Sequence, residues 1–283
     1  MTSKQNLIVG GIQVNVYSDT VATPANTPIA VLFLLHGRTG SAEQIDWVAR
    51  STLEEIRKLR DESKAQTAQD LYVVTFDHRN HGTRLVDDLA NQGWSNDAKE
   101  NNDRHASDIW HGPRCVLSHR LLTPYLFPSD ERTVSQWLVA GISLGGHSTW
   151  LTLRNEVKLG IPIIGCPDYS VLITKRAEEY SLPIAPPYFP QSLVQLLKNN
   201  DPAAAPYTAT DASNPFLGKK VLVLCGADDH LVPWTASKQF VDNLQVGEGG
   251  VKTAIIAPGV GHKCTANMVR EMAKFIWAES LLA

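Results

Sequence analysis

The sequence predicts an α/β fold, a mostly parallel central sheet with helices on both faces. Three observations carry this. Short apolar runs alternate with longer stretches whose apolar residues recur at helical spacing, the pattern of strands joined by crossover helices. Ile29–Leu35 is apolar throughout, as a strand buried on both faces should be. Gly141-Ile142-Ser143-Leu144-Gly145 stands between the apolar run Trp137–Ala140 and a helical stretch, where a sharp turn pushes a serine hydroxyl out of the end of a sheet.

The elements follow in order. Leu7–Val9 and Ile12–Tyr17 flank Gly10-Gly11, a hairpin signal. Ser18–Pro28 is rich in Thr, Pro and Ala and reads as a loop. After the Ile29–Leu35 strand, His36-Gly37-Arg38-Thr39-Gly40 forms a turn. Ser41 is placed to cap a helix through about Arg60, with Ile45, Val48, Leu53 and Ile56 on its apolar stripe. Leu71–Phe76 is the next strand. A polar, irregular stretch from Arg84 to Asp103 precedes a helix from Asp103 or Arg104 to Leu122, ended by Pro124 and Pro128. Trp137–Ala140 is a strand, His147–Val157 a helix, and Ile161–Gly165 a strand.

Residues 166–216 interrupt the alternation. This segment carries eight prolines, with helical pieces at Val171–Tyr180 and Gln191–Lys198. It is too short for an independent domain and reads as a small cap inserted over the strand ends of one domain spanning 1–283. Val221–Cys225 resumes the sheet, followed by helix Trp234–Leu244, strand Lys252–Ile256 and a closing helix Thr265–Leu282. No internal repeat or low-complexity segment is present.

Composition narrows the function. With 283 residues, 43% hydrophobic and 19% charged, the chain can bury a sizeable core. A net charge of −3 without a basic stripe argues against a nucleic-acid partner and against an anionic membrane surface. The amino-terminal residues lack the apolar core of a signal peptide, and no run is long enough to span a membrane. Cys115, Cys166, Cys225 and Cys264 are widely spaced, a pattern of a reduced, cytoplasmic protein rather than a disulfide scaffold.

A serine hydroxyl becomes a nucleophile only beside a base that an acid orients. The serine turn at Ser143 therefore requires an acid and then a histidine at later strand ends. Gly226-Ala227-Asp228-Asp229 follows the Val221–Cys225 strand, and either aspartate fits. His262, after Ala257-Pro258-Gly259-Val260-Gly261, comes last and is the only histidine beyond His230. The developing oxyanion needs backbone N–H donors: Leu144, next to the serine, and Arg38 in the turn after the first buried strand.

These motifs resemble the α/β-hydrolase family over nearly the whole chain. They are His36-Gly37 with Gly40, Asp77-x-Arg79-x-x-Gly82, Gly141-x-Ser143-x-Gly145, Asp229 before Val232-Pro233, and Gly261-His262. Phe76–Gly82, Arg104–Asp108 and Ser143–His147 further resemble a set of fungal α/β hydrolases of unassigned substrate. The resemblance implies an α/β-hydrolase fold. It also implies Asp229 as the acid, three residues before the valine, with Asp228 a turn residue.

Other residues invite alternatives. His78, His81, His105 and His111 lack the carboxylate or cysteine partners of a recognisable zinc pattern, and no metal is expected. Asp77 and Arg79 are expected to pin their loop by a charged hydrogen bond. Trp94, Trp110 and Trp234 are candidates to shape an apolar pocket, with Trp234, beside the acid loop, foremost. Arg38 is also positioned to meet a substrate carboxylate or carbonyl. The expectation is a cofactor-free serine hydrolase acting on a small carboxylic ester or lactone. Its rivals are an amidase, aminopeptidase or acyltransferase with the same triad, and a non-catalytic binding scaffold.

Overall fold

A computed structural model describes residues 1–20, 23–24, 27–63, 68–94, 119–154 and 157–282. Among these residues, eight strands form one sheet in the order β1-β2-β4-β3-β5-β6-β7-β8. The strands are β1 (Thr2–Val9), β2 (Ile12–Asp19), β3 (Ile29–Leu35), β4 (Asp70–Phe76), β5 (Val134–Ile142), β6 (Leu159–Ile163), β7 (Lys220–Gly226) and β8 (Val251–Ala257). The β1–β2 and β2–β4 pairings are antiparallel, and every other pairing is parallel.

Strand β3 shows why an unbroken apolar run fits the middle of this sheet. Ala30, Leu32 and Leu34 face one apolar cluster, while Ile29, Val31, Phe33 and Leu35 face another. Alternate side chains point to opposite faces, so a strand covered on both sides needs apolar residues at every position. Helices α1 (Asp46–Ser63) and α7 (Ala266–Ile276) cover the first face through Val48, Leu53, Met272 and Ile276. On the other face lie Leu122 of α2 (His119–Leu126), Trp150 of α3 (Leu144–Leu153) and Phe240 of α6 (Trp234–Asn243).

Several element boundaries differ from those the sequence predicts. Strand β1 begins at Thr2 rather than Leu7. Its outer residues, Thr2 to Asn6, are all polar and lie on a sheet edge, so backbone pairing with β2 extends it without an apolar signal. Helix α2 runs through Pro124 to Leu126. Proline removes a single N–H bond, and burial of Leu122 holds the surrounding turns. The part of the predicted helix before His119, with Trp110, His105, His111, Cys115 and the Arg104–Asp108 motif, lies outside the described residues. The Ser41 hydroxyl makes only a long bond to the Gln44 N–H (3.4 Å), and a short 3-10 turn precedes α1. The closing helix ends at Ile276 and widens into a π-turn over Trp277–Leu281.

Between β6 and β7 lie α4 (Tyr169–Glu179) and α5 (Gln191–Asn200). They share a small apolar cluster of Tyr169, Ile173, Phe189, Leu193 and Leu197, closed by Trp94. The later part of this segment packs differently. Ala205 and Phe216 join Trp150 and Phe240 in the cluster beneath the sheet.

Candidate active site

Every strand that carries a candidate residue is parallel to its neighbour, so the loops after β3, β5, β7 and β8 emerge at one edge of the sheet. Ser143 sits between β5 and α3 with φ 56° and ψ −109°, a strained backbone for a residue with a Cβ. The flanking glycines make this turn possible. A Cβ on Gly141 would lie 2.2 Å from the Gly145 carbonyl oxygen, and one on Gly145 would lie 2.4 Å from that of Leu35. Strand, turn and helix are thus in backbone contact, and the Ser143 N–H donates to the Ile163 carbonyl at 2.9 Å.

His262 lies 2.9 Å from the Ser143 hydroxyl through Nε2 and 2.7 Å from Asp229 Oδ2 through Nδ1. A carboxylate only accepts, so Nδ1 carries the proton and Nε2 accepts from the serine hydroxyl. Asp229 is buried, whereas Asp228 is exposed. Asp229 Oδ1 takes the N–H groups of Leu231 (2.9 Å) and Val232 (2.8 Å). Burial pushes the Asp229 carboxyl up, but the hydrogen bonds from His262, Val232 and Leu231 outweigh it and hold the carboxyl below its ordinary value. Asp228 serves the architecture through its backbone: its N–H donates to the Val260 carbonyl (2.9 Å), tying the acid loop to the histidine loop.

Ser143 and Leu144 face a half-open cleft of about 350 Å³, part of it solvent, lined also by Arg38, His147, Tyr169, Leu172 and Arg176. Leu144 is the first residue of α3, where an N–H has no acceptor within the helix. Arg38 occupies the turn after β3, closed by the Gly40 N–H to the Gly37 carbonyl (3.1 Å). Histidines brace this turn. His36 Nε2 accepts the His78 N–H (3.0 Å), so its Nδ1–H donates to the Gly37 carbonyl (2.7 Å). The His36 ring lies 4.4 Å from that of His78 and 5.4 Å from that of His81. Burial pushes His36 down to about 4, so the ring is neutral and fixed in one tautomer.

No protein-family model matches the chain, and no curated protein matches it. Solved structures do. TT1662 from Thermus thermophilus is similar over 99% of this chain and 99% of its own, with 19% identity and a TM-score of 0.62. Acetyl xylan esterase 1 from Thermoanaerobacterium is similar over 99% of this chain and 88% of its own (15% identity, TM-score 0.58). A puromycin-hydrolyzing peptidase of Mycobacterium tuberculosis is similar over 99% of this chain and 40% of its own (15% identity, TM-score 0.57). The chain has the α/β-hydrolase fold. Identities this low speak for fold alone.

Within this fold the sequence-derived candidates separate. Ser143, Asp229 and His262 meet, and Arg38 and Leu144 border the same cleft. Trp234 is not among the cleft-lining residues. It starts α6 and packs, partly buried, against the cluster around Trp150 and Phe240, because its position on the helix turns the indole toward the sheet. The Asp77–Arg79 pairing is also absent. The Asp77 carboxylate instead accepts the Ala42 N–H and the Thr83 N–H and hydroxyl, each at 2.7 Å, while Arg79 is exposed. Backbone donors lie nearer in the fold than a long side chain that solvent can hold. Burial pushes up the thiols of Cys166, Cys225 and Cys264 to about 12, so none is a thiolate at neutral pH. Among the described residues no cluster of ligands for a metal ion is found.

Sequence reasoning missed the cleft's other wall, formed by Tyr169, Leu172 and Arg176 of α4. A signal was present: these residues are spaced i, i+3 and i+7, one face of a helix. What the sequence lacked was the direction in which that face points.

Proposed function

We propose that this protein is a serine hydrolase that cleaves a carboxylic ester through an acyl-enzyme. The observation that carries the reading is the continuous chain Asp229–His262–Ser143, with contacts of 2.7 and 2.9 Å. His262 Nε2 takes the hydroxyl proton as Ser143 Oγ attacks the ester carbon, and the carbonyl π electrons move to oxygen. The N–H groups of Leu144 and Arg38 stabilise that oxyanion. Collapse expels the alcohol, which takes its proton from His262. Water then repeats the sequence on the acyl-enzyme, His262 acting first as base and then as acid. Asp229 holds the imidazole tautomer and offsets its positive charge. These steps call for no cofactor or metal.

Residues 166–216 act in this reading as a cap, with α4 as the wall facing the serine. A lactone is an internal ester and fits the same chemistry. Amide cleavage is the second reading, favoured by the likeness to a peptidase as well as to esterases. A cytoplasmic location is part of the proposal, supported by the free thiols of Cys166, Cys225 and Cys264.

The test is labelling with a fluorophosphonate probe, read by intact mass. One adduct on the wild type and none on Ser143→Ala is expected. No adduct on the wild type, or an undiminished adduct on the variant, refutes the nucleophile. A chain-length series of p-nitrophenyl esters beside lactones and aminoacyl anilides then sorts the bond type.

A further inference from the structure

The cleft beside Ser143 is lined by two guanidiniums, Arg38 and Arg176, and by no described carboxylate. Arg176 is the more telling. It is only 9% exposed. Its Nη2 donates to the Leu231 carbonyl (2.9 Å), and its Nε–H is buried without a hydrogen-bond partner. It forms no ion pair with a described residue. A permanently charged group held out of water with a donor unused is unfavourable unless something completes it. A guanidinium presents its N–H groups in a planar fork that matches a carboxylate, and Arg176 lines the space a substrate must enter.

We propose that Arg176 is a specificity-determining residue that binds a carboxylate on the substrate, so that the preferred ester is an anionic one. This rests on the serine-hydrolase reading of the same cleft. The position of the guanidinium suits the role. Tyr169, Leu172 and Arg176 share one face of α4 and line the same cleft as Ser143, so a carboxylate held by Arg176 would lie beside an apolar wall of that cleft. The bond to Leu231 fixes the guanidinium against the loop that carries Asp229, which orients it before substrate arrives. No described carboxylate lines the cleft wall to compete with an incoming anion.

The rival interpretation is that Arg176 only tethers α4 to the acid loop. Two ester pairs, each matched in size, separate the two. One pair carries the charge on the acyl side: mono-p-nitrophenyl glutarate and the p-nitrophenyl ester of monomethyl glutarate. The other carries it on the leaving group: 4-acetoxybenzoate and its methyl ester. In at least one pair the wild type should favour the anion in kcat/KM by roughly tenfold or more, the usual scale of a charge-assisted hydrogen bond. Arg176→Gln should lower that ratio at least about tenfold, chiefly through KM, and Arg176→Lys should restore part of it. A wild type without charge preference in either pair overturns the proposal, as does an Arg176→Gln variant in which both members of a pair fall together. Binding of the same esters to Ser143→Ala, followed by saturation-transfer NMR, separates this from the hydrolase reading. If the wild type turns over none of the esters, Arg176-dependent binding of the anion upholds the carboxylate site alone, and binding indifferent to charge removes it. If turnover is robust but blind to charge, the hydrolase stands and the carboxylate site falls.

Discussion

Two buried aspartates, Asp229 in the acid loop and Asp201 beneath the amino-terminal end of α4, meet burial with opposite outcomes. Both are only 3% exposed. Asp229 spends both oxygens: His262 meets one, and the N–H groups of Leu231 and Val232 meet the other. Its carboxyl is held below the ordinary range. Asp201 accepts the Ser170 N–H at 3.2 Å through Oδ2, while Oδ1 has no partner. Burial and the nearby Asp168 carboxylate push Asp201 up to about 8, against the pull of the Ser170 and Tyr169 N–H groups and of Arg154. Burial alone therefore does not decide ionisation. The number and aim of the donors do. The linkage signs are opposite. Asp229 contributes stability that is full above the unfolded value of about 4 and lost as pH falls through its lower folded value. Asp201 contributes stability that is full below about 4 and lost as pH rises toward 8.

The contrast is broken most directly at Asp229. Asp229→Asn removes the charge, keeps the shape, and turns a donor or a weaker acceptor toward His262 Nδ1. If the carboxylate fixes the tautomer, kcat should fall by about ten-thousandfold with little change in KM. A fall of less than about tenfold would mean that His262 is oriented by its loop alone. The thermal midpoint should fall on the same substitution at pH 7, because Leu231 and Val232 keep an acceptor while the charge-assisted bond from His262 is lost.

Asp201 is sharpened by the converse substitution. Asp201→Asn keeps an acceptor for the Ser170 N–H and abolishes the ionisable proton. Over pH 4 to 7 the wild type should lose up to about 4 kcal/mol that the variant keeps, an upper bound set by the raised carboxyl. Urea unfolding at pH 5, 6, 7 and 8 reads this as a gap that widens with pH in favour of the variant. Parallel curves would show that the pocket accommodates the carboxylate, and the two aspartates would then not differ in kind.

The same contrast marks what the sequence carried. Ser143, Asp229 and His262 were legible because each follows an apolar strand, and parallel strands deliver their ends to one edge. The order Ser, Asp, His then constrained the rest. Asp228 and Asp229 were separable only through the Val232-Pro233 pattern, since their own chemistry is identical. The sheet order was not legible: β4 inserts between β2 and β3, and nothing local in Leu71–Phe76 states its neighbours. Nor was the α4 wall, because a helix outside the sheet alternation shows its apolar stripe without showing which element the stripe meets. Asp201 and Arg176 were invisible for that reason. Their meaning lies in burial, which the proline-rich path between β6 and β7 decides. Trp234 shows the converse: nearness in sequence to Asp229 suggested a place in the cleft, whereas its indole packs against the cluster around Trp150 and Phe240.

A buried base extends the comparison with the smallest expected effect. His36 is pushed down to about 4, chiefly by burial and further by His81, against the pull of the Gly37 carbonyl and of Asp77. Its Nε2 accepts the His78 N–H, so a proton arriving there would set one N–H against another and unseat the turn that carries Arg38. The folded state therefore binds fewer protons than the unfolded state between pH 4 and 6.5. Stability tied to His36 is full above about 6.5 and lost as pH falls to about 4, by up to about 3 kcal/mol. This is the direction of Asp229 and the reverse of Asp201. His36→Gln offers an amide oxygen to the His78 N–H without a titratable ring. The variant will be less stable than the wild type at pH 7, since its amide fits the site imperfectly, but that offset should shrink as pH falls from 6.5 to 4. Denaturant unfolding at pH 7.0, 5.5 and 4.5 measures the change. An offset constant across this range would mean that His36 binds its proton as readily in the fold as out of it, and that the turn bearing Arg38 is held by Asp77 and the backbone instead.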